Sequence, residues 1–502
     1  MNEATGLRDR ERPAPAIGWL LAAGWLLPAV ILAAWRFEPA PVRDVWVELL
    51  TWTVCYPVAA LAVVRHVRRR APQVLKPALA LFVLALTVRT AFLVGEFSFN
   101  YAADPDSYGF TNPDGLQMSV RGLLMLQLVS HQAEPLVRLR TDPAKVGNVV
   151  ADMALRAGNL TWQSLIWQSL VDISLPMALQ FRLLGFSCLA AGLPHLLLSG
   201  FFVVQLTLLA RRVLGGAAGG ARNLAGFVGL WAALAPEFLA HGTRLQKDQL
   251  LAVLLIYLVE LFIEPRQRPI RAWIGPWCAI TFVGYIARPY VPPLFACLAA
   301  YLQVRGARRE RWWLLADLAL SFGLFAVAHQ ANQDMVAYIH AVYRPEDLRN
   351  PWIGPFYNLL MPAPVVPGLI PNDSPANTFL SIVWPTMLVF FVAGAARVYL
   401  RLSRVPVSLV VLYVTWFGVT AAVYPGMSGG LRHRMQIQGL ALSLAAEAFA
   451  AVACRPRVVR RRWSAVAVTL TTLIWLRSVA MAFADRGTTA QDPTIAAQQA
   501  LK

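Results

Sequence analysis

Apolar residues in this chain come in long blocks, separated by short stretches rich in arginine, proline or mixed polar residues. A helix needs about 20 mostly apolar residues to cross the hydrocarbon core of a bilayer. With that window the blocks predict spans at Ile17–Trp35, Trp46–Val64, Leu75–Val94, Leu183–Ala210, Leu224–Ala240, Gln249–Ile263 and Ala272–Ile286. Further spans fall at Val291–Val304, Trp312–Ala328, Phe379–Ala396, Val407–Val423, Gln436–Val452 and Trp463–Ala482. The expected fold is all-α: a polytopic membrane bundle of about thirteen crossings. Leu183–Ala210 is too long for one upright crossing and is expected to tilt or to begin along the interface. The first block follows a charged head and is about 19 residues long, longer than the apolar core of a signal peptide. It therefore predicts a first transmembrane helix.

The basic residues orient these spans. With Arg65, Arg68, Arg69 and Arg70 in the cytoplasm, alternation brings the later clusters to the same side. These are Arg211/Arg212/Arg222, Arg266/Arg268/Arg271, Arg305/Arg308/Arg309/Arg311, Arg397/Arg401/Arg404 and Arg455/Arg457/Arg460/Arg461/Arg462. The prolines at 289, 292 and 293 break the helix around Arg288-Pro289-Tyr290, and keeping two short crossings there preserves the parity. The expected unit is one transmembrane domain over 1–484, with a cytoplasmic N-terminus and a mobile tail over 485–502. Two long segments then lie outside, 95–182 and 329–378, both longer than simple connectors. The first carries SVRGLLMLQLVSHQ and TWQSLIWQSLVDISLPMAL, which suit helices lying along a membrane surface. The second, rich in Pro, Asn and aromatics, suits an irregular cap.

Composition agrees with this picture: 57% of residues are hydrophobic and 14% charged, against about 25% charged in a soluble chain. The formal charge of +18 does not imply nucleic acid, because the arginines fall between apolar spans and no basic groove interleaved with aromatics is evident. The five cysteines lie in or beside apolar blocks, which favours buried fillers over a disulfide framework or zinc site.

Chemistry-bearing residues collect on the outer face. GEFSFNYAADPDSYGF carries Glu96, Asp104, Asp106 and Tyr108, and Pro105 disfavours helix at Asp104. Such a carboxylate pair suits a divalent cation or a general base, and equally a solvated acidic loop. At the junction HGTRLQKDQLL stand His241, Arg244, Lys247 and Asp248. Cations there either snorkel to the interface or, around a helix start, bind phosphate. Arg288 and Tyr290 flank the proline break, and Arg432, His433 and Arg434 enter the next-to-last block after Gly426, Gly429 and Gly430. An anionic partner, at minimum a lipid headgroup, would suit these cations on the side where the positive-inside rule disfavours them. Arg89, near the outer end of its span, is expected to pair with Glu96 or to face the site. Asp317, Glu447 and the remaining histidines, His66 among them, suggest no relay or metal-ligand spacing.

These segments together resemble the GT-C superfamily of polyprenyl-phosphate-sugar-dependent glycosyltransferases, over roughly Arg89 to Ala451. The resemblance rests on DPDSY at Asp104–Tyr108 with its long loop, on TRLQKDQLLAVLLIYLVEL, on ARPYVPPLFACLAAYL, and on GGLRHRMQIQGLALSLAA. Two features differ from the family pattern: the acidic loop follows the third span, and the late arginines lack the usual neighbouring Tyr and Pro. The resemblance implies inverting transfer of a sugar from a polyprenyl-phosphate donor to an extracytoplasmic acceptor, in a bacterial inner membrane. Asp104 or Asp106 would be the base, with a divalent cation a candidate cofactor, while Arg244, Lys247, Arg288, Arg432 and Arg434 would hold the leaving phosphate. Expected partners are the lipid-linked sugar or glycan and membrane lipids, with no nucleic acid. A polymerase or ligase of lipid-linked glycan, and a transporter or flippase of an anionic lipid, are the alternatives. A non-catalytic assembly partner of the same fold is a third. Transport would predict internal repeats and helices broken near the midplane.

Overall fold

The computed structural model describes residues 45–103, 188–213, 220–235, 238–239, 247–263, 279–285, 319, 323, 326, 387–396, 430–453 and 456–486. Among them the structure is helical and holds no strand. The principal helices are α1 (Val45–Arg70), α2 (Leu75–Ala103), α3 (Cys188–Val213), α4 (Gly220–Leu234), α5 (Lys247–Ile263), α6 (Gly430–Ala453) and α7 (Arg457–Arg486). Two contain stretches long and apolar enough to cross a membrane by length and composition, Pro72–Gly95 and Pro194–Arg212. The expected spans at Ile17–Trp35, Val291–Val304 and Val407–Val423 lie outside the described residues.

The centre of the bundle is α3. Every side chain from Phe202 to Ala210 is buried, so the helix has no solvent or lipid face over that length. A helix buried all round must be enclosed on all sides, and among the described residues five helices pack on this one. Around it α1 packs on α2, α2 on α4, α4 on α6 and α6 on α5. Tyr257 of α5, near His66 and Arg70 of α1, closes the ring. Apolar packing divides into two clusters on either side of α3. Small residues permit the close approaches. A Cβ on Gly229 of α4 would run into Thr207 and Leu81, and one on Gly394, in the helix Met387–Ala396, into the backbone of Leu444.

Side-chain contacts set the helix directions. Tyr56 meets Thr90, and the turn at Ala71 joins α1 to α2 through Pro72–Val74, so the two are antiparallel. Gly192 faces Leu93 while Gly200 faces Phe82 and Leu86, which makes α3 antiparallel to α2. Gly229 faces Thr207 while Phe238 packs on Phe202, which makes α4 antiparallel to α3. One end of the bundle therefore collects Arg65 and Arg68–Arg70 at the end of α1, Lys76 at the start of α2, Arg211 and Arg212 at the end of α3, and Arg222 at the start of α4.

Several helix limits differ from those expected. The segment 95–103, expected in the outer loop, continues α2 as far as Ala103. The helix stops where Asp104 precedes Pro105, because a proline ring crowds the preceding residue out of helical geometry. Toward the other end of the chain, α6 begins at Gly430 and α7 at Arg457, so charged residues placed between spans occupy first helical turns. Apolar content marks where a helix is dry; backbone hydrogen bonding carries it further.

Conversely, α4 ends at Leu234, inside the expected span Leu224–Ala240. The cause is Pro236, which has no N–H to give to the carbonyl of Ala232. The i to i+4 pattern brackets this gap, Ala235 N–H donating to Trp231 O and Leu239 N–H to Ala235 O. Ala232 and Ala233 lie beside Arg89 of α2, and Phe238 beside Phe202 of α3.

Candidate functional site

Among the described side chains the expected site residue is Arg89, and it is completely buried. Its Nη2–H donates to Ala232 O at 2.6 Å and its Nη1–H to Ala233 O at 3.3 Å. These are last-turn carbonyls of α4, the negative end of its dipole, and Ala232 is the acceptor that Pro236 leaves without a backbone donor. A planar guanidinium can serve two adjacent carbonyls at once. The Nε–H has no hydrogen-bond partner. The side chain of Glu96, its expected partner, lies outside the described residues. Side chains on a helix lean toward its N-terminus, and from there the Arg89 guanidinium reaches α4.

Glu96 lies on α2, between the candidate membrane span and the helix end at Ala103. At 29 residues, α2 is about 43 Å long against a hydrocarbon core of about 30 Å. Its final turns therefore overrun such a core, on the end opposite the arginines gathered by α1–α4. Lys247 and Asp248 form the first turn of α5, where Asp248 suits the positive end of the helix dipole. Arg432, His433 and Arg434 lie in the first turns of α6, which packs against α5. Asp104, Asp106, Tyr108, His241, Arg244, Arg288 and Tyr290 lie outside the described residues. The structure thus joins Arg89 to α4 and sets the starts of α5 and α6 on neighbouring helices.

A second polar group was not foreseen. Gln205 of α3 is buried, donates from Nε2 to Tyr257 Oη at 3.1 Å, and contacts His66 Nε2 with the same amide nitrogen. The His66 ring sits edge-on to Phe201 and Tyr257, and Arg70 lies 5.8 Å from the Tyr257 ring centre. Gln205 Oε1 is buried without a partner. This cluster joins α1, α3 and α5 on the arginine-rich side of the bundle. A glutamine within an apolar run was the available signal, but its partners come from other helices. Buried amides without full satisfaction also occur at Gln249, Nε2, and at both amide atoms of Gln438. Among the described residues no group of three or more His, Cys, Asp or Glu could hold a metal ion.

Compared with known proteins, the chain matches no family model, no curated protein and no solved structure.

Proposed function

We propose that this chain is a polytopic membrane glycosyltransferase of the GT-C type, with about thirteen spans and a cytoplasmic arginine-rich face. It would move a sugar from a polyprenyl-phosphate donor to an extracytoplasmic acceptor. The observation that carries this reading is the course of α2. It leaves the arginine-rich end, passes through an apolar span, and stops at Ala103 directly before Asp104. This course supports an acidic motif on the face opposite the arginines. Short connections join antiparallel neighbours, so residues 240–246 would bring Lys247 to that face after α4. The alternation of spans brings Arg432 and Arg434 there too.

In this mechanism Asp104 or Asp106 takes the proton of the acceptor hydroxyl. The oxygen attacks the anomeric carbon, the bond from that carbon to the phosphate oxygen breaks, and polyprenyl phosphate leaves with the electron pair. Arg244, Lys247, Arg288, Arg432 and Arg434 stabilise the developing charge in a site of low dielectric. Asp104→Asn and Asp106→Asn, assayed separately in membranes with radiolabelled polyprenyl-phosphate sugar, test this. The base variant should lose about 10²–10⁴-fold in rate; full transfer by both ends the base assignment. Cysteines at Ser107 and Ser428 should react with an impermeant maleimide only from outside.

A transporter or flippase is favoured by one observation, the end of α4 at Leu234 inside its apolar block, since transporters build sites at broken helices. Movement of labelled polyprenyl phosphate between leaflets, without transfer, would select it.

A further inference from the structure

We propose that the start of α7 binds anionic phospholipid, its exposed arginines holding lipid phosphates at one membrane surface. The inference rests on the membrane reading above and adds the class of lipid that α7 recruits. Three observations converge. From Pro456 to Leu473 only Ala467 is buried and only Thr471 partly buried, so the rest of this stretch stands clear of the bundle. Arg457, Arg460, Arg461 and Arg462 are all exposed, and the first turn carries no acidic residue. Among the described residues none gives these four guanidinium groups an ion pair, a hydrogen bond or a ring contact. Trp463 follows them directly, and no charged residue then stands before Arg477.

Order along the helix sets the depth. From Trp463 to Leu476 the helix rises about 20 Å, more than one leaflet of a hydrocarbon core about 30 Å thick. Over that length Trp463, Val466, Val468, Leu470, Leu473 and Leu476 are exposed. A helix lying flat on a membrane would spread its arginines along one polar face. Here the four stand together within Arg457–Arg462, directly before the uncharged run, as in a helix that enters lipid from the headgroup layer. Tryptophan favours that layer. Arg457, Arg460 and Arg461 share a face at spacings of three and four, and guanidinium groups take phosphate oxygens in pairs. By contrast, Arg70 of α1 lies against the Tyr257 ring of its own bundle. Unpaired cations beside exposed apolar surface call for a ligand that is anionic at one end and apolar at the other, which a negatively charged phospholipid is. Free phosphate would leave the apolar surface uncovered. A second copy of the chain, pairing α7 with α7 in parallel, would set arginines against arginines.

The test uses the full chain with Cys55, Cys188, Cys278, Cys297 and Cys454 replaced by alanine and a bimane fluorophore on Val466→Cys. It is reconstituted in phosphatidylcholine bilayers holding a minor fraction of brominated phosphatidylglycerol or, separately, of brominated phosphatidylcholine, and quenching reads which lipid stands beside α7. With the arginines intact, the anionic lipid should be enriched at the label about fivefold or more, the scale of one arginine's attraction at a membrane surface. Added salt should reduce the enrichment. Arg457→Gln, Arg460→Gln, Arg461→Gln and Arg462→Gln together should bring the ratio to about one, while the four lysine replacements should retain enrichment. Equal quenching by both lipids with the arginines intact, or enrichment that survives the glutamine replacements, overturns the proposal and leaves the membrane reading standing. Loss of enrichment on adding inorganic phosphate at constant ionic strength assigns the arginines to a soluble anion and also overturns it. So does quenching by neither lipid: iodide quenching in their place puts α7 in water and removes the membrane reading of this helix, and protection from iodide puts it under a second copy.

Discussion

Three buried side chains show how a polar group survives inside this bundle. Arg89 donates to the end of α4, including the Ala232 carbonyl to which Pro236 cannot donate, Tyr56 shares a 2.6 Å hydrogen bond with Thr90, and Gln205 ties Tyr257 to His66. In each case the partner comes from another helix, so the bond is also a statement about packing. Removing one member takes a buried hydrogen bond from the others, which costs about 1–3 kcal/mol, whereas removing both ends together costs less. Gln205→Leu should therefore lower the thermal stability of the detergent-solubilised protein, and Gln205→Leu with Tyr257→Phe should recover part of the loss. Equal melting temperatures for the wild type and Gln205→Leu would show that the amide contributes nothing.

At the scale of elements, close contact is set by which positions lack a side chain. Gly394 abuts the Leu444 carbonyl of α6, while Gly226 in α4 has open space where a Cβ would stand. Alanine at 394 must push two helices apart, at about 1–3 kcal/mol. Alanine at 226 meets nothing and gains about 0.5–1 kcal/mol from helix propensity. Melting curves of Gly394→Ala and Gly226→Ala should thus shift in opposite directions. Composition cannot separate these two glycines, since both lie in apolar helical sequence. The stops are another matter: Asp104-Pro105 ends α2, and Pro236 interrupts the helix after α4, for reasons written in covalent structure.

For the whole molecule, the separation of faces is the main feature. The basic ends of α1 to α4 lie together, and α2 runs away from them to Ala103. Outward apolar surface fits lipid: Val54, Val58 and Leu61 stand exposed on α1, and α7 exposes Val458, Trp463, Val468, Leu470 and Leu473 on several sides. Apolar residues exposed around a helix suit a lipid solvent. Spin labels at Leu61 and Leu473 in reconstituted bilayers should be relaxed by oxygen more than by a polar nickel complex. The reverse ranking at both would place these surfaces in water or under protein.

The sequence by itself determined the helical character, the apolar blocks and the sharp stops, because chain length, hydropathy and proline act locally. It also determined the gathering of arginines between blocks, and antiparallel packing of α1 to α4 brings those ends together. Only the tertiary structure decided that α3 is the enclosed centre, that Arg89 serves α4, and that His66 meets Gln205. Such pairings join positions far apart in the chain. They depend on the rotation and depth of one helix against another, which the order of residues along either helix does not express.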